Sequence, residues 1–209
     1  MRQPARKLKK SSVKNIVRFP STKSNLGETI LVESILESKY CLHLEFNENV
    51  TRYYPQPQTF RITDDLGHVT YTPDFEVHYR DGTQGYVEVK PLRYATSEEF
   101  TQLFARFEKT LAETGKKFHV ATEIEIYEQP LLDNYEKLYQ FRKRHSIDRR
   151  RLHQCAEGIS GPITLSALIA QFKSHISLRE IYTWLAHGFL VFDISSESLT
   201  MDTEVTLNV

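Results

Sequence analysis

The sequence predicts two domains, an α/β domain followed by a smaller, mainly helical one. Up to Pro130, helix-spaced apolar stripes alternate with short runs of β-branched and aromatic residues, a pattern typical of a mixed central sheet flanked by helices. After Pro130 the pattern becomes almost wholly helical. The chain has 209 residues, 40% of them hydrophobic, which is enough to build two small cores.

Composition excludes several classes of protein. No run approaches the roughly 18 apolar residues of a membrane-spanning helix, and no apolar stretch follows the basic N-terminus as in a signal peptide. We therefore expect a soluble, cytoplasmic protein without a membrane partner. Cys41 and Cys155 form no CxxC pair, so neither a disulfide framework nor a structural zinc site is expected.

The net charge of zero is unevenly distributed. Residues 1–27 contain no acid, which leaves eight excess negative charges on the remainder. This basic arm either neutralises phosphates or is a solvated tail, and the sequence leaves both interpretations open. A second basic cluster within 142–151 predicts an interdomain segment that could also contact a polyanion. The cations of the arm are Arg2, Arg6, Lys7, Lys9, Lys10, Lys14, Arg18 and Lys23.

Apolar periodicity predicts the elements of the first domain in order. Leu31, Ile35, Leu42 and Phe46 fall at helical spacing, which predicts one helix over 28–46. β-branched and aromatic residues then predict strands over 58–63 and 68–79, joined by a turn at 64–67. A third strand over 84–90 alternates and stops at Pro91.

A second helix and a fourth strand complete the first domain. Thr96 and Glu99 have the spacing of a capping box. The apolar stripe that follows ends at Gly115, a residue typical of helix C-termini. Residues 118–123 then have the composition of a short buried strand. The stripe consists of Phe100, Leu103, Phe104, Phe107 and Leu111.

The C-terminal pattern predicts a winged helix. Residues 163–172 are expected to form one helix, and a capping box of Ser177 and Glu180 opens a second that Gly188 closes. Residues 189–192 and 199–203 then predict a small hairpin. Two short helices joined by a tight turn and followed by a hairpin are the winged-helix arrangement, which binds either duplexes or proteins.

Acidic and basic residues that suit phosphodiester chemistry fall on two neighbouring strands. Pro73-Asp74 is followed, fourteen positions after Asp74, by Glu88-Val89-Lys90, the PD-(D/E)xK arrangement. Side chains two apart on a strand share a face, so Glu88 and Lys90 should project together while Val89 turns into the core. Hairpin pairing would bring Asp74 alongside them. Two neighbouring carboxylates favour a hard divalent cation such as Mg²⁺.

Such a site would supply what phosphodiester hydrolysis needs. A metal polarises the phosphate and lowers the pKa of a bound water, and the Lys90 ammonium can orient that water or stabilise developing charge. A third carboxylate should come from the preceding helix, where Glu33 and Glu37 lie one turn apart.

The alternative interpretation is an ordinary solvated sheet face. A Glu-x-Lys pair is common there, and Asp after Pro is common in turns. The order of the two motifs, behind a helix with an acidic edge, favours nuclease chemistry. Glu45 and Glu48 are expected to be turn or surface acids instead.

These residues resemble a known family. The segments 36–46, Gln56-Pro57, 72–75 and 87–91 are similar, in order and spacing, to the N-terminal nuclease domain of TnsA-like endonuclease subunits of heteromeric cut-and-paste transposases. The resemblance continues more weakly through the C-terminal part, and the basic arm has no counterpart.

The resemblance implies a restriction-endonuclease-like fold that binds Mg²⁺, with Mn²⁺ as a substitute. Glu37, Asp74 and Glu88 match the acidic positions and Lys90 the catalytic lysine, which favours Glu37 over Glu33. The metal ligands would then be Asp74, Glu88, Glu37 and the backbone carbonyl of Val89. The domains would be the arm (1–27), the nuclease domain (28–129), and a helical linker with the winged helix (130–209).

The resemblance also implies partners. Such subunits cut the non-transferred strand at the 5′ ends of the transposon, in double-stranded DNA, while a separate DDE-type transposase subunit processes the 3′ ends. The C-terminal domain would contact DNA and an AAA+ ATPase regulator, in a prokaryotic cytoplasm. Two alternatives remain: a free-standing restriction- or repair-type nuclease of the same superfamily, and a winged-helix DNA- or protein-binding adaptor whose nuclease domain is only a scaffold.

Overall fold

A computed structural model describes residues 16–24, 29–142, 147–159 and 161–208, which fall into two units, Met1–Tyr127 and Glu128–Val209. Within these ranges, no helix combines the length and the apolar character needed to cross a bilayer. The N-terminal unit contains, in chain order, β1 (Val17–Pro20), β2 (Thr29–Val32), α1 (Ile35–Phe46), β3 (Val50–Pro55), β4 (Phe60–Asp64), β5 (Gly67–Tyr71), β6 (Phe75–Tyr79), β7 (Gln84–Val89), α2 (Leu92–Ala95), α3 (Glu98–Leu111), a 3₁₀ turn (Ala112–Thr114), β8 (Lys117–Ala121) and α4 (Glu123–Ile126).

A mixed four-stranded sheet forms the centre of this unit. Its order is β3-β6-β7-β8, with the first three strands antiparallel and β8 parallel to β7. Neighbouring residues of a strand face opposite sides. Phe75 of β6 lies 5.9 Å from the ring of Tyr40 in α1, whereas Tyr86 of β7 lies 5.8 Å from Phe107 in α3. Helices therefore cover both faces, as the sequence predicted.

The face under α3 is an aromatic core. The predicted stripe of α3 packs there: Phe104, Phe107 and Leu111 are buried, and Phe107 is fully so. The β4–β5 hairpin adds Ile62 and Tyr71 to the same cluster. Arg106 of α3 fastens the hairpin turn by donating to the Asp64 carboxylate at 2.7 Å and to a turn carbonyl. The hairpin thus belongs to the α3 face although it lies outside the central sheet.

The predicted helix over 28–46 is wrong in its first part. Thr29–Val32 is a strand that pairs antiparallel with Val17–Pro20, and the helix begins only at Ile35, after the N-cap Ser34. The β-branched residues of β2 have a partner strand, so tertiary pairing overrides the helical spacing. Since the helix begins at Ile35, Glu33 precedes it. Residue 28 lies outside the described residues.

The buried carboxylate of Glu45 holds the segment after β1 against the end of α1. It accepts hydrogen bonds from the hydroxyls of Ser21 at 2.6 Å, Tyr53 at 2.9 Å and Thr22. Lys23 donates from Nζ to two carbonyls at the C-terminal end of the helix. The expectation of a surface acid at Glu45 is wrong because distant hydroxyls solvate its charge inside the protein. Residues 1–15 and 25–27 of the predicted arm lie outside the described residues.

Two further predictions need correction in the sheet region. The expected strand over 68–79 is two strands, β5 and β6, in different sheets. Pro73 lies between them and has no N–H to continue a ladder. The edge strand β3 was not predicted. Helix α3 is capped by Ser97 rather than Thr96, which instead ends α2.

The C-terminal unit contains three strands and four helices within its described ranges. Residues 163–172 were expected to be one helix, but the first two pair as a strand. The capping box of Ser177 and Glu180 is confirmed. The elements are α5 (Leu131–Arg142), α6 (Arg149–Ala156), β9 (Ile163–Thr164), α7 (Leu165–Phe172), α8 (Leu178–Ala186), β10 (Leu190–Val191) and β11 (Glu204–Leu207), with sheet order β10-β11-β9.

The second strand of the predicted C-terminal hairpin lies later than expected, at β11 instead of 199–203. The fully buried amide of Asn134 explains why. It donates to the carbonyls of Ile194 and Glu197 and accepts from the N–H of Leu199, so this connection is fixed to α5 instead of pairing with β10.

Two arginines of the second basic cluster serve the C-terminal fold. Arg142 donates to the carbonyl of Ala186 at 2.6 Å, and Arg151 forms an ion pair with Glu180 at 2.7 Å. Lys143 and Arg144 of that cluster lie outside the described residues, so the predicted polyanion contact there stays a prediction.

Candidate active site

A cleft of about 820 Å³ lies in the N-terminal unit, beside the end of β7. All four predicted catalytic side chains line it, and so does Val89. The cleft walls come from the start of α1, the end of β5, the segment just before β6, the end of β7 and the first turns of α3. Elements far apart in sequence thus bring together the residues predicted to act together: Glu37, Asp74, Glu88 and Lys90.

Asp74 is fixed to the end of β7 by its side chain. Its Oδ2 accepts the backbone N–H of Val89 at 2.8 Å. Its own carbonyl accepts the N–H of Gln56 at 2.7 Å, where β3 ends. Asp74 was expected near the middle of a long strand, but it directly precedes β6. The reason is that the strand is interrupted at Pro73, one residue earlier. The sheet register still brings it beside Glu88.

Glu88 and Lys90 contact each other on one side of β7, as their two-residue spacing predicts. Lys90 Nζ lies 2.8 Å from Glu88 Oε1. The other carboxylate oxygen of Glu88 accepts the hydroxyl of Tyr71 at 2.8 Å. The Lys90 ammonium also lies 4.4 Å from the ring centroid of Phe100 in α3, a cation–π distance. Both oxygens of this buried glutamate therefore have donors.

Glu37 is the third residue of α1 and is hydrogen-bonded to the N-cap residue, Ser34. Ser34 accepts the N–H of Glu37 at 3.0 Å and donates its hydroxyl to Glu37 Oε1 at 2.8 Å. Glu37 Oε2 accepts the N–H of Glu33 at 2.9 Å. Glu37 therefore orders the start of the helix while it faces the cleft, and Glu33, also at the cleft, is held through its backbone.

Burial and neighbouring carboxylates raise the pKa of two acids of the cleft, Asp74 and Glu37. Burial, and then the charges of Glu88 and Glu37, raise the pKa of Asp74 well above its ordinary value, although the Val89 N–H and Lys90 act in the opposite direction. Burial also raises the pKa of Glu37, with repulsion from Glu33 and Glu88 adding to it. Burial and the charge of Glu88 raise the pKa of Tyr71, so its hydroxyl stays a donor.

The donor set of the cleft suits a hard divalent cation. Each oxygen of Glu37 and Glu88 contacts one donor, and a carboxylate oxygen has a second lone pair that can bind a cation. In the described part of the chain, however, no three His, Cys, Asp or Glu side chains stand together as a metal-holding group. The carboxylates thus line one cleft, but in this arrangement they do not form a complete set of metal ligands.

Sequence reasoning missed two features of this site. The Ser34-x-x-Glu37 spacing was a visible signal for the start of α1, and it would have separated Glu37 from Glu33. Tyr71 carried no such signal, since its contact with Glu88 depends on how the β4–β5 hairpin packs.

Comparison with known proteins agrees with the geometry of the cleft. Residues 47–123 match the family model described as the TnsA-like endonuclease N-terminal domain. The match runs from just before β3 to the start of α4, so it includes Asp74, Glu88 and Lys90, whereas Glu37 precedes it. The search of curated proteins gave no match for this chain. Residues 47–123 therefore match a TnsA-like endonuclease N-terminal domain, which is consistent with a TnsA-like endonuclease subunit.

Proposed function

We propose that this chain is the DNA endonuclease subunit of a transposase, and that it cuts the non-transferred strand at the 5′ ends of the transposon by metal-dependent phosphodiester hydrolysis. One observation carries the proposal: Asp74, Glu88 and Lys90 meet at one cleft inside the TnsA-like domain. The catalytic residues of the proposal are these three and Glu37.

The proposed cofactor is Mg²⁺, which Mn²⁺ would replace. Support comes from the shared charge of three carboxylates, since a divalent cation would relieve their repulsion. Asp74, Glu88, Glu37 and the Val89 carbonyl would hold it. When bound, the cation would polarise the phosphate and lower the pKa of a water.

Lys90 would act directly on the reacting atoms. Water attacks phosphorus, the bond to the leaving oxygen breaks, and negative charge grows on the phosphate oxygens. The ammonium of Lys90, which lies between Glu88 and the ring of Phe100, can orient the water or stabilise that charge. A glutamine at position 90 would keep most of the length of the side chain and lose the charge.

The proposed partners are duplex DNA at the transposon ends, a DDE-type transposase subunit and an AAA+ ATPase regulator. We propose further that the C-terminal unit is a winged helix that contacts the regulator and DNA. The supporting geometry is the pair α7 and α8 followed by the small β10-β11-β9 sheet.

Strand-specific mapping of breaks tests this proposal. A duplex that carries the transposon end is incubated with Mg²⁺, with and without the partner transposase and regulator, and cut products are mapped on each strand. We expect wild-type protein to nick the 5′ end of the element only when the partners are present, and Asp74→Ala to give no nicks. Asp65→Ala is the matched control because Asp65 is an exposed acid in the β4–β5 turn.

The other outcomes separate the alternatives. Asp74-dependent cutting by the protein alone would favour a free-standing restriction- or repair-type nuclease. Partner binding without any Asp74-dependent cut would favour the adaptor, in which the nuclease domain is only a scaffold.

A further inference from the structure

Tyr71 touches the candidate active site although it belongs to neither sequence motif. Its hydroxyl donates to Glu88 Oε2 at 2.8 Å, and both side chains are buried. We propose that Tyr71 is a positioning residue for DNA cleavage, one that fixes the orientation of the Glu88 carboxylate. This inference rests on the proposed function, because it gives a role to a residue that acts through Glu88.

The two donors on Glu88 divide its oxygens between them. Lys90 takes Oε1 and Tyr71 takes Oε2, each at 2.8 Å. A carboxylate offers about four lone-pair positions, so roughly two remain for a cation. Lys90 is a flexible side chain with a job of its own at the phosphate. If it leaves Glu88 during the reaction, Tyr71 is the contact that still holds the carboxylate plane.

The ring of Tyr71 is itself held rigidly. It packs edge-on against Phe107 at 4.7 Å and against Phe118 at 6.3 Å between centroids. It is also the last residue of β5, in a hairpin that Arg106 ties to α3. The hydroxyl therefore has little freedom to follow a carboxylate that turns away, which is what positioning requires.

A matched control exists in the same aromatic cluster. Tyr86 is as deeply buried, and its ring also packs on Phe107, at 5.8 Å. Its hydroxyl, however, contacts Gln58 and Lys116 and not Glu88. Removing either hydroxyl leaves a ring of the same shape, so a comparison of Tyr71→Phe with Tyr86→Phe isolates the contact with Glu88.

The experiment measures cleavage and metal binding separately in the full-length chain. Single-turnover cutting of the transposon-end duplex with the partners present gives the rate at saturating DNA and the DNA concentration at half-maximal rate. Titration with Mn²⁺ in the absence of DNA, followed by electron paramagnetic resonance, gives the metal affinity. Thermal melting verifies that each variant is folded. Residues that orient metal-ligating carboxylates typically contribute about 10- to 100-fold.

We expect Tyr71→Phe to lower the saturating rate and to weaken Mn²⁺ binding, each by about tenfold or more. The half-saturating DNA concentration should stay unchanged, and Tyr86→Phe should match wild type in all three. Replacement of Tyr71 by p-aminophenylalanine, which restores an N–H donor at the same place, should recover part of the rate even if Tyr71→Phe is less stable.

Two results would overturn the inference without touching the proposed function: wild-type values for Tyr71→Phe, or equal losses in Tyr71→Phe and Tyr86→Phe, while Glu88→Gln abolishes cutting. If Glu88→Gln itself cuts and binds Mn²⁺ like wild type, both the proposed function of this cleft and the role of Tyr71 are wrong.

Discussion

At Asp74, burial and two neighbouring carboxylates oppose the ionised form that metal chemistry needs. Part of that cost is offset by the N–H of Val89 at 2.8 Å. Carboxylates that destabilise the fold and lie beside a lysine in a cleft are typical of functional sites. The residue therefore allows stability and activity to be separated by one substitution.

We expect Asp74→Asn to melt at a higher temperature than wild type and to lose at least about a hundredfold in cutting rate, equivalent to about 2.7 kcal/mol. The amide oxygen can still accept the Val89 N–H, while the charge that Glu88 and Glu37 repel is gone. Differential scanning calorimetry and cleavage assays check the two effects. The control Asp65→Asn, at an exposed turn, should change neither. A lower melting temperature for Asp74→Asn would contradict the repulsion argument.

At the scale of single elements, β1 and α1 are joined by the carboxylate of Glu45. Three hydroxyls from two other segments donate to it. Hydrogen bonds to a buried charge contribute more than neutral ones. We therefore expect the hydrogen bonds of Glu45 to stabilise the N-terminal unit.

Glu45→Ala should lower the free energy of unfolding by about 3 kcal/mol, since it leaves the buried hydroxyls of Ser21 and Tyr53 without an acceptor. Urea denaturation followed by circular dichroism measures the loss. Glu48→Ala is the control, because Glu48 is exposed three residues later and should change stability by less than about 0.5 kcal/mol. Equal stabilities of the two variants would show that the hydrogen bonds of Glu45 do not stabilise the unit.

An ion pair between β8 and α4 makes the stability of this region depend on pH. His119 Nε2 lies 2.9 Å from Glu125 Oε2. The bond to Glu125 raises the pKa of His119 above 6.5, with burial opposing it, and the bond to His119 lowers the pKa of Glu125 below 4.5. The His119 contribution is complete below pH 6.5 and is lost as the pH rises through its folded pKa. The Glu125 contribution is present above pH 4.5 and is lost as the pH falls.

The pair should therefore stabilise the fold most between about pH 4.5 and 6.5. Both side chains are about half exposed, at 52% and 45%, so the effect should stay below about 1 kcal/mol. Glu125→Gln should reduce the melting temperature at pH 5.5 and match wild type at pH 9. A constant difference across this range would mean that the pair does not carry the effect.

At the scale of the whole molecule, six of the eight cations of the basic arm precede the described residues, whereas Arg18 and Lys23 belong to the folded unit. Two deletions that end at different residues can therefore distinguish an arm that binds phosphates from a solvated tail. The six are Arg2, Arg6, Lys7, Lys9, Lys10 and Lys14.

Deletion of residues 2–15 should weaken duplex binding and make the dependence of log K on log salt shallower by up to about 5, since each phosphate contact contributes about 0.9. Deletion of 2–23 should also destabilise the fold, because it removes β1 and two of the hydroxyls that donate to Glu45, those of Ser21 and Thr22. Fluorescence anisotropy at several salt concentrations and thermal melting measure the two effects. An unchanged salt slope after the first deletion would identify the arm as a solvated tail.

The sequence by itself determined the features that depend on local spacing. The alternation of β7, the apolar stripe of α3 and the Ser177–Glu180 capping box follow from backbone geometry within a few residues. The same period of two brought Glu88 and Lys90 into contact. The TnsA-like character of residues 47–123 was also readable from short motifs in the right order.

Tertiary structure decided the features that depend on residues far apart in the chain. Strand pairing with β1 made 29–32 a strand instead of the first turns of a helix, and burial among distant hydroxyls made Glu45 an internal acid. The packing of the β4–β5 hairpin on α3 brought Tyr71 to Glu88. The spacing of residues along one segment cannot predict such contacts, because the free energy of each contact depends on the distant partner as much as on the residue itself.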